Sequence, residues 1–288
     1  MYKTKSIFRI IFFLFITFLT VQKGASQNLE GGILLGCSNY NGDLSGMLID
    51  FSQTKMAGGI IVRYNIDDRW SLKGYLGYGR ISGADSLSTY NSYNHSRNLS
   101  FYTDIFEISG QIEYNLIKVD NRFYGKRPYV PYVFIGLGVY NFNPKAILGG
   151  KSYELQPLAT EGQGSTTYNS LDKYSLTQAC IPIGFGIKKK ISRRWTLGLE
   201  IGARYTFTNY LDDVGGTYAN NGVVGKSTGE VAAALADRSR EVNGTGFPQF
   251  LEGDKRTNKK IKINDIYIFS GITLTFKIKG KTHCPRFN

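Results

Sequence analysis

The chain has 288 residues, a formal net charge of +13 and a hydrophobic content of 42%. Its mean hydropathy of -0.22 excludes a helical membrane protein, which needs several apolar runs of roughly 20 residues. The hydrophobic content is also too high for a disordered chain. Tyr and Phe are abundant, with 20 and 18 residues, and aromatic residues favour a pleated sheet. Composition therefore indicates an all-β protein.

The first 26 residues have the pattern of a secretory signal peptide. Lys3, Lys5 and Arg9 precede an apolar stretch at residues 10–19, and small residues follow at 24–26. An apolar core of about ten residues is short for a membrane anchor, which must cross roughly 30 Å of hydrocarbon. We therefore expect residues 1–26 to be removed during export.

Eight later segments alternate between apolar residues and polar or small residues. The clearest segment is 195–206, where every odd position from Trp195 to Tyr205 is apolar and the even positions are polar or glycine. Segments of about ten residues with this alternation are typical of transmembrane β-barrels. The other seven predicted strands are at about 29–38, 56–65, 70–79, 102–114, 129–141, 178–187 and 266–276.

A soluble β-sandwich would show the same alternation, and three features favour the barrel. Aromatic residues bracket the apolar faces, as the interfacial girdles of a barrel require. The opposite faces are polar and glycine-rich, where a sandwich needs a second buried layer. Short connections, such as 66–69 and 189–194, alternate with long ones. We therefore predict an all-β fold, an eight-stranded antiparallel transmembrane β-barrel at 27–276. Its turns on the periplasmic side are short, and its extracellular loops, at about 80–100, 142–174 and 207–265, are long. A basic periplasmic tail follows at 277–288.

The interior of an eight-stranded barrel is just wide enough for side chains, which disfavours a diffusion pore. Unpaired buried charges are costly, so charged residues on the inward positions are expected to form a structural network of ion pairs. The predicted lumen charges are Glu30, Arg63, Lys73, Glu107, Glu113, Glu200 and Arg204.

The sequence offers little support for an enzyme. His95 lies in a predicted loop and His283 in the tail, and neither has a cysteine or carboxylate cluster at metal-ligand spacing. We expect no cofactor, metal, small-molecule substrate or nucleic acid, although a surface enzyme that uses His95 is an alternative. Cys37 and Cys180 fall on opposite predicted faces, which argues against a disulfide between them, and Cys284 lies in the tail.

The basic excess lies on the short-turn side of the predicted barrel, against only Asp67, Asp68 and Asp120. A rim of one charge sign steers an oppositely charged partner. Attraction to anionic lipid headgroups, or ordinary solvated turns, would explain the same pattern. The candidate partner-binding residues are Lys118, Arg122, Lys126, Arg127, Lys188, Lys189, Lys190, Arg193, Arg194, Lys277, Lys279 and Lys281.

Six stretches carry a family resemblance in a fixed order along the chain: SNYNGDL at 38–44, RYN at 63–65, YGRISGAD at 78–85, PYVF at 131–134, FNPKA at 142–146 and PLATEGQG at 157–164. Together they resemble the PorG family of Bacteroidota outer-membrane barrels, which belong to the type IX protein secretion system. The resemblance covers nearly all of the chain after the signal peptide, but residues 209–262 and the tail after Phe276 match nothing in that family.

The resemblance implies a subunit in the cell outer membrane, above a periplasmic ring of the lipoprotein PorK and the protein PorN. That machinery exports cargo proteins and in some species supports gliding. The resemblance supplies no catalytic residues, and it makes the basic rim a candidate docking surface. The alternative is a stand-alone small outer-membrane barrel of the adhesin or membrane-stabilising type, which is not part of any secretion machinery.

Overall fold

The computed structural model describes residues 29–45, 50–87, 92–118, 129–168, 171–243, 250–257 and 264–278. The predicted signal peptide lies outside the described residues, as does the tail from residue 279 onward. None of the helices among the described residues is long and apolar enough to cross a membrane.

Eight long strands form a closed antiparallel barrel, which confirms the predicted fold class. Their order around the barrel is β3-β2-β1-β10-β9-β8-β5-β4, and pairing of β3 with β4 closes the wall. A small hairpin of β6 and β7 lies in the connection between β5 and β8. The strands are β1 Leu29–Asn41, β2 Lys55–Asn65, β3 Trp70–Ala84, β4 Ser100–Asn115, β5 Val130–Asn141, β6 Lys145–Leu148, β7 Lys151–Glu154, β8 Thr177–Lys190, β9 Trp195–Thr206 and β10 Ile266–Lys277.

The two faces of the wall differ as the alternation predicts. On β9, Leu197 and Leu199 at odd positions are exposed, whereas Glu200 and Arg204 at even positions are buried. Exposed apolar side chains of this kind continue around the whole barrel, which a soluble protein does not tolerate over so large an area. The exposed apolar belt includes Ile33, Leu35, Ile60, Val62, Leu76, Ile108, Ile112, Val133, Ile135, Leu137, Ile183, Phe185 and Ile272.

Aromatic side chains mark both edges of this apolar belt. At the short-turn end, Trp70 packs on Tyr114 with 4.6 Å between ring centres, and Trp195 packs on Phe276 at 5.0 Å. At the other end, Tyr205 packs against Phe207, which lies just beyond β9, and Tyr78 is exposed on β3. Two aromatic girdles around an apolar band are the arrangement that a bilayer requires.

The strands on the long-loop side extend further than the sequence predicts. The ladder between β3 and β4 continues to the pair Ala84 and Ser100, so their connection is 85–99 rather than about 80–100. The apolar alternation ends earlier because Arg80 and Asp104 lie opposite each other on the outer face and form an ion pair at 2.7 Å. Backbone pairing does not depend on that alternation, so a pattern search stops short of the real strand end.

The long connections fold into a compact cap over the end of the barrel that faces away from the short turns. Its core is continuous with the upper barrel and contains the buried side chains of Leu44, Leu99, Phe142, Leu211 and Leu235. Short helices, which the sequence patterns did not predict, build much of the cap. They are α1 Ser92–Arg97, α2 Leu155–Leu158, α3 Asn221–Thr228, α4 Glu230–Ala236 and α5 Arg240–Asn243, with 3-10 turns at Phe51–Gln53 and Asp85–Leu87.

Two buried arginines join the connections of the cap. Arg97 forms a two-point ion pair with Asp85, at 2.7 and 2.8 Å, and donates to the carbonyl oxygen of Asp43 at 2.9 Å. Arg97 also donates to the carbonyl oxygen of Arg256. Arg256 in turn lies 3.3 Å from the carboxylate of Glu161. These contacts link all four connections at this end of the barrel, which explains why the cap is compact.

Candidate functional site

The lumen beneath the cap is filled by a network of ion pairs. Arg63 forms a two-point ion pair with Glu113, at 2.8 and 3.0 Å, and lies 3.2 Å from Glu30. Lys73 lies 2.8 Å from Glu200 and 3.3 Å from Glu113. All of these side chains are buried, so the pairing that the sequence predicts for them is confirmed.

A second group lies closer to the cap. Arg204 contacts Glu107 at 2.9 Å, and the hydroxyls of Ser109 and Tyr267 donate to the same carboxylate at 2.7 and 3.1 Å. The guanidinium carbon of Arg204 is 4.7 Å from the ring centre of Phe269. Charge pairing and aromatic packing together close the interior at this level.

The structure corrects the predicted position of Lys188, which does not lie on the rim. The sequence places it among the exposed basic residues of the β8–β9 turn, but the inward positions of β8 extend to Lys188. Its side chain is buried, its Nζ lies 3.2 Å from Glu113, and it sits 4.6 Å from the ring centre of Tyr132. The predicted boundary of β8 ends at Ile187, one residue too early to show this. Lys188 therefore belongs to the lumen network.

With Lys188 included, the described lumen holds four acids and four bases. Each has an oppositely charged partner within 3.3 Å. Such pairing offsets part of the cost of burying the charges. These side chains occupy an interior that, with eight strands, is just wide enough for side chains.

The remaining rim residues divide into two groups. Lys118, Arg193 and Arg194 are exposed at the short-turn end, and Lys189, Lys190 and Lys277 are partly exposed there. The other predicted rim residues lie outside the described part of the chain: Arg122, Lys126, Arg127, Lys279 and Lys281.

Apart from Arg69, the described rim cations occupy one arc of the barrel. β5 neighbours β8, and β9 neighbours β10, so the β4–β5 connection, the β8–β9 turn and the end of β10 are adjacent. The β2–β3 turn lies on the opposite side and carries Asp67, Asp68 and Arg69. The rim is therefore polarised, with cations on one side and an acidic turn on the other. A polarised rim orients a charged partner as well as attracting it.

Within the described part of the cap, one group of residues is of the types that bind metal ions. The carboxylate oxygens of Asp43, Asp212 and Asp265 lie within 4.8 Å of one another, and all three residues are buried. Asp212 accepts from the hydroxyl of Tyr40, and Asp265 accepts from the backbone amide of Leu211 at 3.0 Å. These bonds attach the cap to the upper end of the barrel, so we assign the cluster a structural role.

The remaining sequence candidates lie apart from one another. His95, the residue of the surface-enzyme alternative, is exposed on α1 in the cap. Cys37 and Cys180 are both free thiols, and Cys180 is buried in the lumen. The expectation that these two cysteines form no disulfide is confirmed. Cys284 lies outside the described residues.

A closed antiparallel barrel with an apolar outer belt, aromatic girdles and a charge-paired interior defines an outer-membrane β-barrel protein. The protein is therefore located in the outer membrane. The chain belongs to the family described as a domain of unknown function, DUF6089, whose model matches residues 6–226.

Similar solved structures include the N-terminal β-barrel domain of OprF from Pseudomonas aeruginosa, at 11% identity and a TM-score of 0.34, covering 87% of this chain and 97% of that chain. Neisserial surface protein A has 11% identity and a TM-score of 0.37, covering 86% and 95%. Ail, the attachment invasion locus protein of Yersinia pestis, has 9% identity and a TM-score of 0.37, covering 86% and 97%. No curated protein sequence matches the chain.

Proposed function

We propose that this protein is a non-enzymatic outer-membrane subunit of the type IX secretion machinery. In this proposal it docks a periplasmic ring, made of a PorK-like lipoprotein and a PorN-like protein, through the basic arc of its rim. The observation that carries the proposal is the concentration of cations on one arc of the periplasmic end of the barrel. The lumen of an eight-stranded barrel is just wide enough for its own side chains, so the proposal places the action of the protein on the periplasm at its rim.

The position of the family resemblance supports the same proposal. Four of the six resembling stretches, 38–44, 78–85, 142–146 and 157–164, enter the cap or its junction with the barrel. They contribute Asp43, Asp85 and Glu161 to the contacts of Arg97 and Arg256. The resemblance therefore follows a cap architecture and not only the alternation that any barrel shows.

The alternative is a stand-alone barrel of the adhesin or membrane-stabilising type. The observation that favours it is the exposed apolar surface of the cap, where Leu87, Val242 and Leu251 are each about half exposed or more. Exposed apolar side chains on an extracellular surface are suited to contact with another protein. Under this alternative the basic rim contacts only lipid headgroups and water.

Reversing three rim charges tests the proposal. The variant K190E/R193E/K277E changes the arc and leaves the lumen residue Lys188 intact. We expect it to lose the stoichiometric periplasmic ring proteins that the unaltered protein retains in a pull-down from mild detergent. The control is K151E/R240E on the cap, which reverses two exposed charges at the opposite end of the barrel.

Both variants should keep the heat-dependent gel shift that reports a folded barrel. Unchanged recovery of the ring proteins by the rim variant would contradict the docking proposal. Recovery of no ring proteins even by the unaltered protein would favour the stand-alone barrel. The surface-enzyme alternative makes a separate prediction, because H95A would then remove an activity on lipid or peptide.

A further inference from the structure

Two of the periplasmic turns repeat one short pattern, Ile-x-x-Arg-Trp, at 66–70 and 191–195. Their backbones also repeat. The amide of Ile66 donates to the carbonyl oxygen of Trp70 at 2.9 Å, and the amide of Ile191 donates to that of Trp195 at 3.0 Å. The next amide in each turn donates to the same carbonyl oxygen, at 3.3 and 3.2 Å. The two turns therefore have the same hydrogen-bonded conformation.

A different side chain holds each turn in this conformation. The carboxylate of Asp67 accepts from the amides of Arg69 and Trp70, both at 2.7 Å. The hydroxyl of Ser192 accepts from the two corresponding amides, at 3.2 and 3.0 Å. Asp and Ser both stabilise turns through such bonds to the backbone two residues ahead. The shared geometry thus persists although the charge of the two turns differs.

Each turn places an arginine beside the lipid-facing aromatic girdle. Arg69 lies 5.8 Å from the ring centre of Tyr114, on which Trp70 packs. The guanidinium of Arg194 lies 5.9 Å from the ring centre of Phe276, on which Trp195 packs. Both tryptophans are more than 40% exposed on the outer wall. Tryptophan at this level marks the interface between hydrocarbon and headgroups.

The two turns lie diametrically opposite each other. In the strand order, β1 and β10 separate them on one side, and β4 and β5 separate them on the other. Each therefore faces the periplasmic leaflet on its own side of the barrel. A guanidinium is planar and weakly hydrated, so it binds phosphate oxygens through two parallel hydrogen bonds and stacks on aromatic rings.

The local charge differs between them. Backbone amides of Trp70 and Arg69 lower the pKa of Asp67, so this carboxylate is ionised beside the arginine, and the turn contains a second acidic residue, Asp68. The β8–β9 turn has a serine and a second arginine, Arg193, and it follows Lys189 and Lys190. An anionic headgroup is favoured by the second turn and disfavoured by the first.

We propose that the two Ile-x-x-Arg-Trp turns are matched binding sites for phospholipid headgroups of the periplasmic leaflet. In each site the guanidinium binds the lipid phosphate beside the tryptophan. The β8–β9 site takes a headgroup of net negative charge. The β2–β3 site takes a zwitterionic headgroup, whose positively charged nitrogen lies against the carboxylate of Asp67 or Asp68. The inference goes beyond ring docking because it concerns the barrel in lipid alone.

The tryptophans provide the test, since the sequence contains only two and each lies in one site. The variant W70F leaves Trp195 as the sole reporter, and W195F leaves Trp70. Each folded protein is placed in phosphatidylcholine vesicles with a small, fixed fraction of phosphatidylglycerol. Bromine, a fluorescence quencher, is carried on the acyl chains either of that phosphatidylglycerol or of an equal fraction of phosphatidylcholine.

In W70F we expect brominated phosphatidylglycerol to quench Trp195 about fivefold more effectively than brominated phosphatidylcholine, the factor that one well-placed basic residue supplies. In W195F we expect no preference for phosphatidylglycerol. Adding R194Q to W70F should abolish the preference. The matched control R193Q removes the same charge one residue away and should keep more than half of it. R194K retains the positive charge but lacks the planar guanidinium, so its preference for phosphatidylglycerol should lie between those of R194Q and R193Q.

Equal quenching of Trp195 by the two brominated lipids would overturn the proposal. An equal loss with R193Q and R194Q would also overturn it, because the preference would then come from the field of the whole basic arc. A phosphatidylglycerol preference at Trp70 as large as that at Trp195 would contradict the charge distinction between the sites. No ring protein is present in these vesicles, so the result is independent of the docking proposal.

Discussion

Arg63 on β2 and Glu113 on β4 form a buried two-point ion pair, with nitrogen to oxygen distances of 2.8 and 3.0 Å. The same carboxylate lies 3.3 Å from Lys73 on β3 and 3.2 Å from Lys188 on β8. β2 and β8 lie on opposite sides of the barrel in the strand order. One carboxylate therefore connects opposite walls, and it resists both opening and flattening of the cylinder.

Replacing Glu113 by glutamine should destabilise the barrel strongly. E113Q removes the negative charge shared by three buried cations; Arg63 and Lys73 keep Glu30 and Glu200, but Lys188 loses its ion-pair partner. Removing one partner of a buried ion pair costs about 3 kcal/mol or more. Urea unfolding in lipid vesicles, followed by tryptophan fluorescence, measures this loss. The matched control is E154Q, because Glu154 pairs with Lys145 at the surface, where a pair contributes about 1 kcal/mol or less. Equal stability of the two variants would contradict a structural role for the network.

The pair of Arg204 and Glu107 should show strong coupling. R204M leaves the buried carboxylate of Glu107 with hydroxyl donors only, so resistance to thermal unfolding in detergent should fall. E107Q alone should also be destabilising. The double variant should lose much less than the sum of the two, because it leaves no unpaired buried charge. Additive losses, or a lost function at unchanged melting temperature, would contradict this reading.

Glycines on the inner wall should tolerate substitution by alanine less well than glycines on the outer wall. A Cβ at Gly184 would lie 2.3 Å from the carbonyl oxygen of Ile201 and 2.5 Å from the ring of Phe134. A Cβ at Gly110, which faces lipid, would meet nothing within 4 Å. We expect G184A to lower the free energy of unfolding by about 1–3 kcal/mol, and G110A to be close to neutral, in the same urea titration. Comparable effects of both would show that lumen packing does not limit these positions.

Alternation revealed the barrel because lipid and lumen impose opposite demands on successive residues. Leu199 and Glu200, neighbours in sequence, meet hydrocarbon and an ion pair respectively. The same alternation correctly predicted which charged residues face the lumen. Lys188 did not, because its position depends on where β8 ends, and strand ends are the least reliable part of a pattern-based prediction.

The cap was not predictable in the same way. Its helices have four to eight residues, too few for a clear periodic signal or for stability on their own. They are held by distant contacts, such as the hydrogen bond from Arg97 to the carbonyl oxygen of Arg256.

The periplasmic rim was predictable only in part. The Ile-x-x-Arg-Trp repeat is visible in the sequence, but only the strand order places its two copies on opposite sides of the barrel. Five of the twelve rim residues predicted from sequence lie outside the described residues.

The cap should become more stable as the pH falls from about 6 toward 4. Burial raises the pKa of Asp213 to about 6, although Arg256 and the hydroxyls of Thr160 and Tyr174 partly offset it. The folded cap therefore binds this proton more readily than the unfolded chain, whose aspartate titrates near pH 3.9. The resulting stabilisation, on the order of 2 kcal/mol, is complete below the unfolded pKa and is lost as the pH rises through about 6. Burial raises the pKa of Asp85 as well, which adds an effect of the same sign.

Amide hydrogen exchange of residues 207–243, corrected for the intrinsic pH dependence of exchange, measures this change. The variant D213N supplies the control, because asparagine tolerates the left-handed backbone found at residue 213, where φ is 65°. D213N should reduce the pH dependence of cap stability between pH 4 and 6, since one of the two carboxylates with raised pKa no longer titrates. R238Q, at a partly exposed ion pair with Glu241, should leave the pH dependence intact. An undiminished pH dependence in D213N would show that another group controls the cap.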